Sequence, residues 1–127
     1  MVMGKAGAST KTLGDLAEDR ALAHLLRQGL RLEWRNYRLA AGPRARGAEI
    51  DLVMREAGGT LVFVEVRQRR SLAQGGAAAS IGAAKQASIV LAARHYLLRL
   101  RTLPPCRFDV VSIDGEVLDW LKGAFTA

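Results

Sequence analysis

Two acidic residues stand out by type and spacing: Asp51, in the run Glu49 to Met54, and Glu65, in the run Leu61 to Arg67. Both runs alternate apolar with polar residues. The stretch Arg55-Glu56-Ala57-Gly58-Gly59-Thr60 between them offers glycine for a left-handed turn position, so the spacing predicts an antiparallel hairpin. Setting Ile50 against Val66, Leu52 against Val64 and Met54 against Val62 makes one face wholly apolar, whereas a slip of one residue would oppose the valine stripe to Glu49 and Asp51. In the first register Asp51 lies opposite Glu65 on the other face, with Cβ atoms about 4.5–5.5 Å apart, and Arg67 follows on the side of Glu65. Like charges facing each other across a ladder are destabilising unless something cationic sits between them. Only oxygen ligands are on offer in the hairpin, which favours Mg²⁺ or Mn²⁺ over zinc. Arg67 alone is the competing neutraliser, as a surface salt-bridge cluster.

A third carboxylate, Glu18, projects between Ala21, Leu22 and Leu25, the side of a helix expected to pack on the sheet; it is either a snorkelling side chain at the core edge or a used one. Cations are distributed unevenly. No acid falls between Glu65 and Asp109, a span that holds Arg67, Arg69, Arg70, Lys85, Arg94, Arg99, Arg101 and Arg107, while Arg31, Arg35, Arg38, Arg44 and Arg46 cluster around the lone Glu33. Such runs are usually solvated faces, but converging on an acid pair they suit a groove that tracks a phosphate backbone, with the loop Arg69 to Gly76 as a clamp. Phosphate contacts of this kind would not specify sequence. His24 and His95 lack ligand spacing, Cys106 reads as a packed thiol, and Trp34, Tyr37, Phe63, Phe108 and Trp120 read as sheet packing. No phosphate loop, serine elbow or dinucleotide fingerprint is present.

The elements that must position these groups follow from periodicity. Thr12 with Asp15 is a capping-box variant opening a helix over Leu13 to Gln28, ended by Gly29; Leu30 to Leu39 alternates as a strand, and Ala40 to Gly47 is a loop. After the hairpin, Gln68 to Ser80 reads as a loop with a mobile tip around Gly75-Gly76. Ser80 is placed to cap a helix over Ile81 to Leu100 whose apolar face is Ala83, Ala87, Val90, Leu91, Leu97 and Leu98. Arg107 to Ile113 and Val117 to Trp120 complete the strands. At 127 residues, 50% of them apolar, the chain suits one domain over residues 12–127 behind a disordered lead, residues 1–11. The order helix, strand, hairpin, helix, strand implies an α/β core. One cysteine excludes an internal disulfide and multi-cysteine zinc sites, and no apolar stretch spans a bilayer, so a cytoplasmic protein is expected. The net charge of +7 makes a polyanion the natural partner.

The strings GDLAEDRA (Gly14 to Ala21), WRNYR (Trp34 to Arg38), AEIDLVMRE (Ala48 to Glu56), LVFVEVRQRR (Leu61 to Arg70), the segment Ala77 to Gln86 and PCRFDVVSID (Pro105 to Asp114) resemble the YraN family of bacterial proteins over nearly all of the chain after residue 12. That family is similar to archaeal Holliday-junction resolvases, within the restriction-endonuclease-like PD-(D/E)xK superfamily. The resemblance implies a restriction-endonuclease-like core, a mixed central sheet with an antiparallel hairpin flanked by helices. It makes Asp51 and Glu65 the metal-binding acids, puts Arg67 at the lysine position, matches Glu18 to the helix acid of the resolvases, and puts Lys85 and Gln86 where the next helix lends polar groups to the site.

The implied chemistry is hydrolysis of phosphodiester bonds in structured or branched DNA with Mg²⁺ or Mn²⁺ held by Asp51, Glu65 and the Val66 carbonyl, and with Glu18 reaching the ion through water. Arg67 stays protonated, so it positions and neutralises but is no general base. By analogy with resolvases the protein would be a homodimer. The alternatives from other classes are a non-catalytic nucleic-acid-binding protein on the same scaffold and a basic protein-interaction module.

Overall fold

The computed structural model describes residues 12–40, 47–69 and 81–127, with Arg69 placed by its backbone alone. The expected lead, most of the Ala40 to Gly47 loop, the clamp loop beyond Arg69, the Ser80 cap, and Arg44, Arg46 and Arg70 lie outside the described residues.

Helix α1, Leu13–Arg27, begins where its end groups are satisfied locally: the Thr12 hydroxyl accepts from the Asp15 N–H at 3.0 Å, and the Asp15 carboxylate accepts from the Thr12 N–H at 3.3 Å. Gly29 closes the helix with φ +98°, which lets the Gly29 and Leu30 N–H groups donate to the Leu26 and Leu25 carbonyls at 3.0 and 3.1 Å. Leu25 and Leu30 then share one apolar cluster, so the cap also turns the chain into the sheet. Thr12→Ala is expected to lower stability by about 1 kcal/mol in urea unfolding; an unchanged midpoint would show that the box adds nothing.

Five strands form one sheet in chain order: β1 (Arg31–Leu39), β2 (Ala48–Arg55), β3 (Leu61–Arg69), β4 (Cys106–Asp114) and β5 (Val117–Phe125). Neighbours are antiparallel except β3 and β4, which run parallel because helix α2, Ala83–Leu97, crosses between them. The sheet is therefore mixed, flanked by a helix on each face, as expected of a nuclease-like core. Helix α1 packs Ala17, Ala21 and Leu25 on Leu52, Met54, Val62, Val64, Val111 and Ile113. Helix α2 packs Ile89, Ala92, Ala93 and Tyr96 on Ile50, Val53, Phe63 and Phe108.

Several expectations need correction. Both faces of the hairpin are buried, because a helix covers each. The second helix runs from Ala83 to Leu97, with Gly82 at its N-cap making no side-chain cap bond, and its buried stripe is Ile89, Ala92, Ala93 and Tyr96; Leu91 and Leu98, expected inside, are 56% and 81% exposed. The segment is small or apolar on nearly every side, so spacing alone could not select a face. The final strand extends to Phe125, and Cys106 is exposed.

The hairpin ladder forms as expected over Leu52↔Val64, Val53↔Phe63, Met54↔Val62 and Arg55↔Leu61, then stops. Beyond Leu52, β2 stays with β1 as far as Leu39↔Ala48, and beyond Val64, β3 stays with β4 as far as Arg69↔Asp114, so the predicted Ile50–Val66 pair does not form. The sheet forks there. At the same level β1 carries Asn36 at φ +57°, between the pairs Arg35↔Leu52 and Tyr37↔Ile50. Leu52 lies on the α1 side while Ile50 lies on the α2 side, so strand alternation breaks at Asp51, directly opposite Asn36.

Candidate functional site

Asp51 and Glu65 occupy the crotch of this fork. Where the ladder would continue, the Val66 N–H donates instead to Asp51 Oδ2 at 2.8 Å, so a side chain replaces a strand in satisfying β3. A strand residue sends its N–H and C=O from the same edge, and the Val66 carbonyl therefore also opens towards the gap. Glu65 is buried, at 8% exposure, and its Oε1 has no hydrogen-bond partner. The Lys85 ammonium approaches the other oxygen, Oε2, at 3.7 Å. Lys85 reaches it because it sits one helical turn before Ile89, at the open end of the buried stripe of α2. The far end of that helix is pinned by the Tyr96 hydroxyl, which donates to Glu33 Oε1 at 2.7 Å, and by the His95 Nδ1 contact with the Tyr37 hydroxyl at 2.6 Å.

The other face supplies Glu18 from α1. Its side chain is 13% exposed and meets Arg35 Nε at 3.4 Å, while Arg35 Nη2 reaches Asp19 at 2.8 Å. Asn36, in the amide orientation that satisfies its neighbours, donates to Glu18 Oε1 at 3.2 Å and to Glu49 Oε2 at 3.0 Å. Arg38 pairs with Glu49 at 3.3 Å from an exposed position. Four carboxylates from two strands of the hairpin and one helix thus surround the fork, with cations at its margins.

Burial and mutual repulsion dominate their electrostatics. Burial, followed by the Glu65 charge, pushes the Asp51 carboxyl up to about 7, against the opposing pull of the Val66 N–H. Burial also raises Glu65, although Lys85 and Arg67 act in the other direction. Glu18 is raised by burial and then by the Asp51 charge, with Arg35 and Asn36 opposing. Without a cation, Asp51 and Glu65 favour holding a shared proton, the state of two acids brought together with too little compensating charge.

Of the residues expected here, Asp51, Glu65, Val66 and Lys85 come together, Glu18 lies near enough to be raised by the Asp51 charge, and the Arg67 charge is felt by Glu65. Gln86 donates its amide to the Ile81 carbonyl at 2.8 Å, a bond that ties the start of α2 to the chain before it. The proposed convergence of arginines is only partial: Arg35 binds Glu18 and Asp19, Arg99 covers the Trp34 ring at 4.5 Å, and Arg107 joins Asp109 and Glu56 in a separate network. Glu49 and Asn36 were not foreseen. Glu49 reads in the sequence as an outward residue of an alternating strand, and no pattern announces a left-handed asparagine in mid-strand. Among the described residues, no three carboxylate, imidazole or thiol side chains close on one point as a metal cluster. An ion at the fork would therefore have two close side-chain ligands and fill its shell with backbone oxygen and water. Two depressions, of about 360 and 480 Å³, meet at Gly47 beside the fork; Arg38 and Glu49 line one, Lys85 and Ser88 the other.

Comparison with known proteins agrees with the strings of sequence around this site. The UPF0102 protein of Methylibium petroleiphilum is 62% identical over 119 residues, covering 94% of this chain and 98% of its own. Those of Paracidovorax citrulli and Acidovorax sp. (strain JS42) are 59% and 58% identical, covering 98% and 99% of this chain and 93% and 94% of theirs. The family model described as "Uncharacterised protein family UPF0102" matches residues 17–113, a span that takes in most of α1, the fork and all of α2, and the chain therefore belongs to UPF0102, which is the YraN family.

Proposed function

We propose that this protein is a divalent-metal-dependent endonuclease that hydrolyses phosphodiester bonds in structured or branched DNA. The observation that carries the reading is the orphaned Oε1 of buried Glu65, set beside an Asp51 carboxyl that burial and its neighbour hold in need of a positive charge. Asp51, Glu65 and the Val66 carbonyl are all-oxygen donors suited to Mg²⁺ or Mn²⁺. Such an ion, when bound, lowers the pKa of its water and neutralises charge on the phosphate. The protein's own residues do the rest. Asp51 is held by the Val66 N–H through Oδ2, which leaves its other oxygen for a ligand. Lys85, 48% exposed, sits where an ammonium touches both Glu65 and an incoming phosphate oxygen. Arg67 adds charge beside Glu65, and Arg38 and Lys85 each line one of the two adjoining depressions along which a backbone would lie.

Labelled junction, flap and linear DNA incubated with Mg²⁺ or Mn²⁺ provide the test: cleavage that chelator stops and that prefers branched substrate is expected. Arginine at the lysine position favours a second reading, a non-catalytic nucleic-acid binder on the same scaffold. That protein would bind DNA in a salt-sensitive, chelator-insensitive way and leave every substrate intact.

A further inference from the structure

Asn36 is the one non-glycine residue with positive φ among the described residues, and it sits in the middle of an edge strand where nothing turns. A left-handed conformation there costs energy for any residue but glycine, less for asparagine than for most, and strain of this kind persists only where the surroundings enforce it. Its consequence is visible on both sides. Arg35 addresses α1, where it meets Glu18 and Asp19, and Tyr37, two residues on, lies in the cluster under α2. The inversion leaves the Asn36 side chain between two acids, donating to Glu18 Oε1 at 3.2 Å and Glu49 Oε2 at 3.0 Å. One amide thus ties a helix carboxylate to a strand carboxylate at the level of Asp51.

We propose that Asn36 is a positioning residue: its amide clamps Glu18 against Glu49 so that the helix acid faces the cation position between Asp51 and Glu65. The inference rests on the metal-site reading above. It explains why the strained residue is asparagine and not glycine, since glycine would give the same backbone at no cost but no donor. It also explains how Glu18, repelled by the charge on Asp51, is kept near it. Groups that orient ligands without touching the metal typically change affinity by about 10–100-fold when removed.

The experiment measures Mn²⁺ affinity, by calorimetry and by the electron-spin signal of free Mn²⁺, in wild type, Asn36→Gly, Asn36→Ala, Glu18→Gln, Asp51→Asn and the double variant Asn36→Gly with Glu18→Gln. Both Asn36 variants are expected to weaken binding about 10-fold or more and to the same extent, although alanine strains the backbone and glycine does not. Their agreement would assign the loss to the amide. The double variant is expected to bind no more weakly than Glu18→Gln alone, because the clamp acts through that acid. Thermal unfolding of the glycine variant confirms its fold, and the alanine variant stands in should glycine fail. Wild-type affinity in both variants, or full additivity with Glu18→Gln, overturns the clamp while leaving the metal site in place. Absence of Mn²⁺ binding in the wild type, or binding indifferent to Asp51→Asn, overturns the metal site and the clamp with it.

Discussion

Asp51→Asn is expected to make the metal-free protein more stable while reducing metal-dependent DNA cleavage by on the order of 10³-fold. The two effects have one cause. Asparagine keeps an oxygen for the Val66 N–H and adds an amide that can donate to the orphaned Glu65 Oε1, so a repulsive pair becomes a hydrogen-bonded one. The gain is about 1–3 kcal/mol. The pH dependence follows from the same carboxyl. In the folded, ion-free protein Asp51 sits at about 7 against an ordinary 3.8, so between those values the folded chain binds more protons than the unfolded one. Stability then falls as pH rises through that window, and the cost is fully present above it; Glu65 and Glu18, also raised, add in the same direction. The wild type should therefore gain a few kcal/mol from pH 8 to pH 5, and Mn²⁺ at pH 8 should restore the same gain. Asp51→Asn should flatten the profile. Urea unfolding at several pH values measures all of this, and a variant less stable than wild type at pH 8 would sink the idea that the fork is an unsatisfied acid pair.

How far such a site can be read from letters depends on whether its determinants are local. The Thr12–Asp15 box and Gly29 are signals within one turn of chain, and the helix they bound lies where they place it. The pairing of Leu52 with Val64 was legible because a slip would exchange buried valines for acids. The end of that ladder was not: an alternating pattern says which face a residue takes while a strand continues, and nothing in it says where two strands part. Asp51 thus comes close to Glu65 as expected, but by lying in the gap of a fork and not across a ladder. Glu49 and Asn36 were hidden for the same reason, since the inversion at Asn36 breaks the alternation used to sort the faces. The stripe of α2 was hidden by composition. With alanine on most sides, only the sheet beneath it decides that Lys85 shares a side with Ile89 and Tyr96 and so reaches Glu65.

The same contrast between satisfied and unsatisfied acids sets the outcome at Asp109, where substitution is expected to be severely destabilising. Asp109 is fully buried, yet each oxygen is used: Oδ1 accepts from Arg107 Nε at 2.9 Å and from the Gly123 N–H at 2.9 Å, and Oδ2 from Arg107 Nη2 at 3.1 Å and Trp120 Nε1 at 2.9 Å. Gly123, at φ +61°, lies where β5 bulges against β4, so the carboxylate occupies the irregularity and replaces the ladder bonds lost there. Arg107 carries the network on to Glu56 in the hairpin turn. Asp109→Ala strands an indole N–H, a backbone N–H and part of a guanidinium, a loss of about 3–5 kcal/mol, or on the order of 10 °C in Tm for a chain of this size. Asp109→Asn should be nearly as harmful, because its amide nitrogen would face donors. Asp51→Asn raises stability because the group beside it, Glu65 Oε1, is an unpaired acceptor, whereas the identical change at Asp109 lowers it because the partners there are all donors. Calorimetric melting of the two asparagine variants side by side checks the pair, and a shift of the same sign in both would refute the distinction between an acid kept for a cation and an acid that closes the fold.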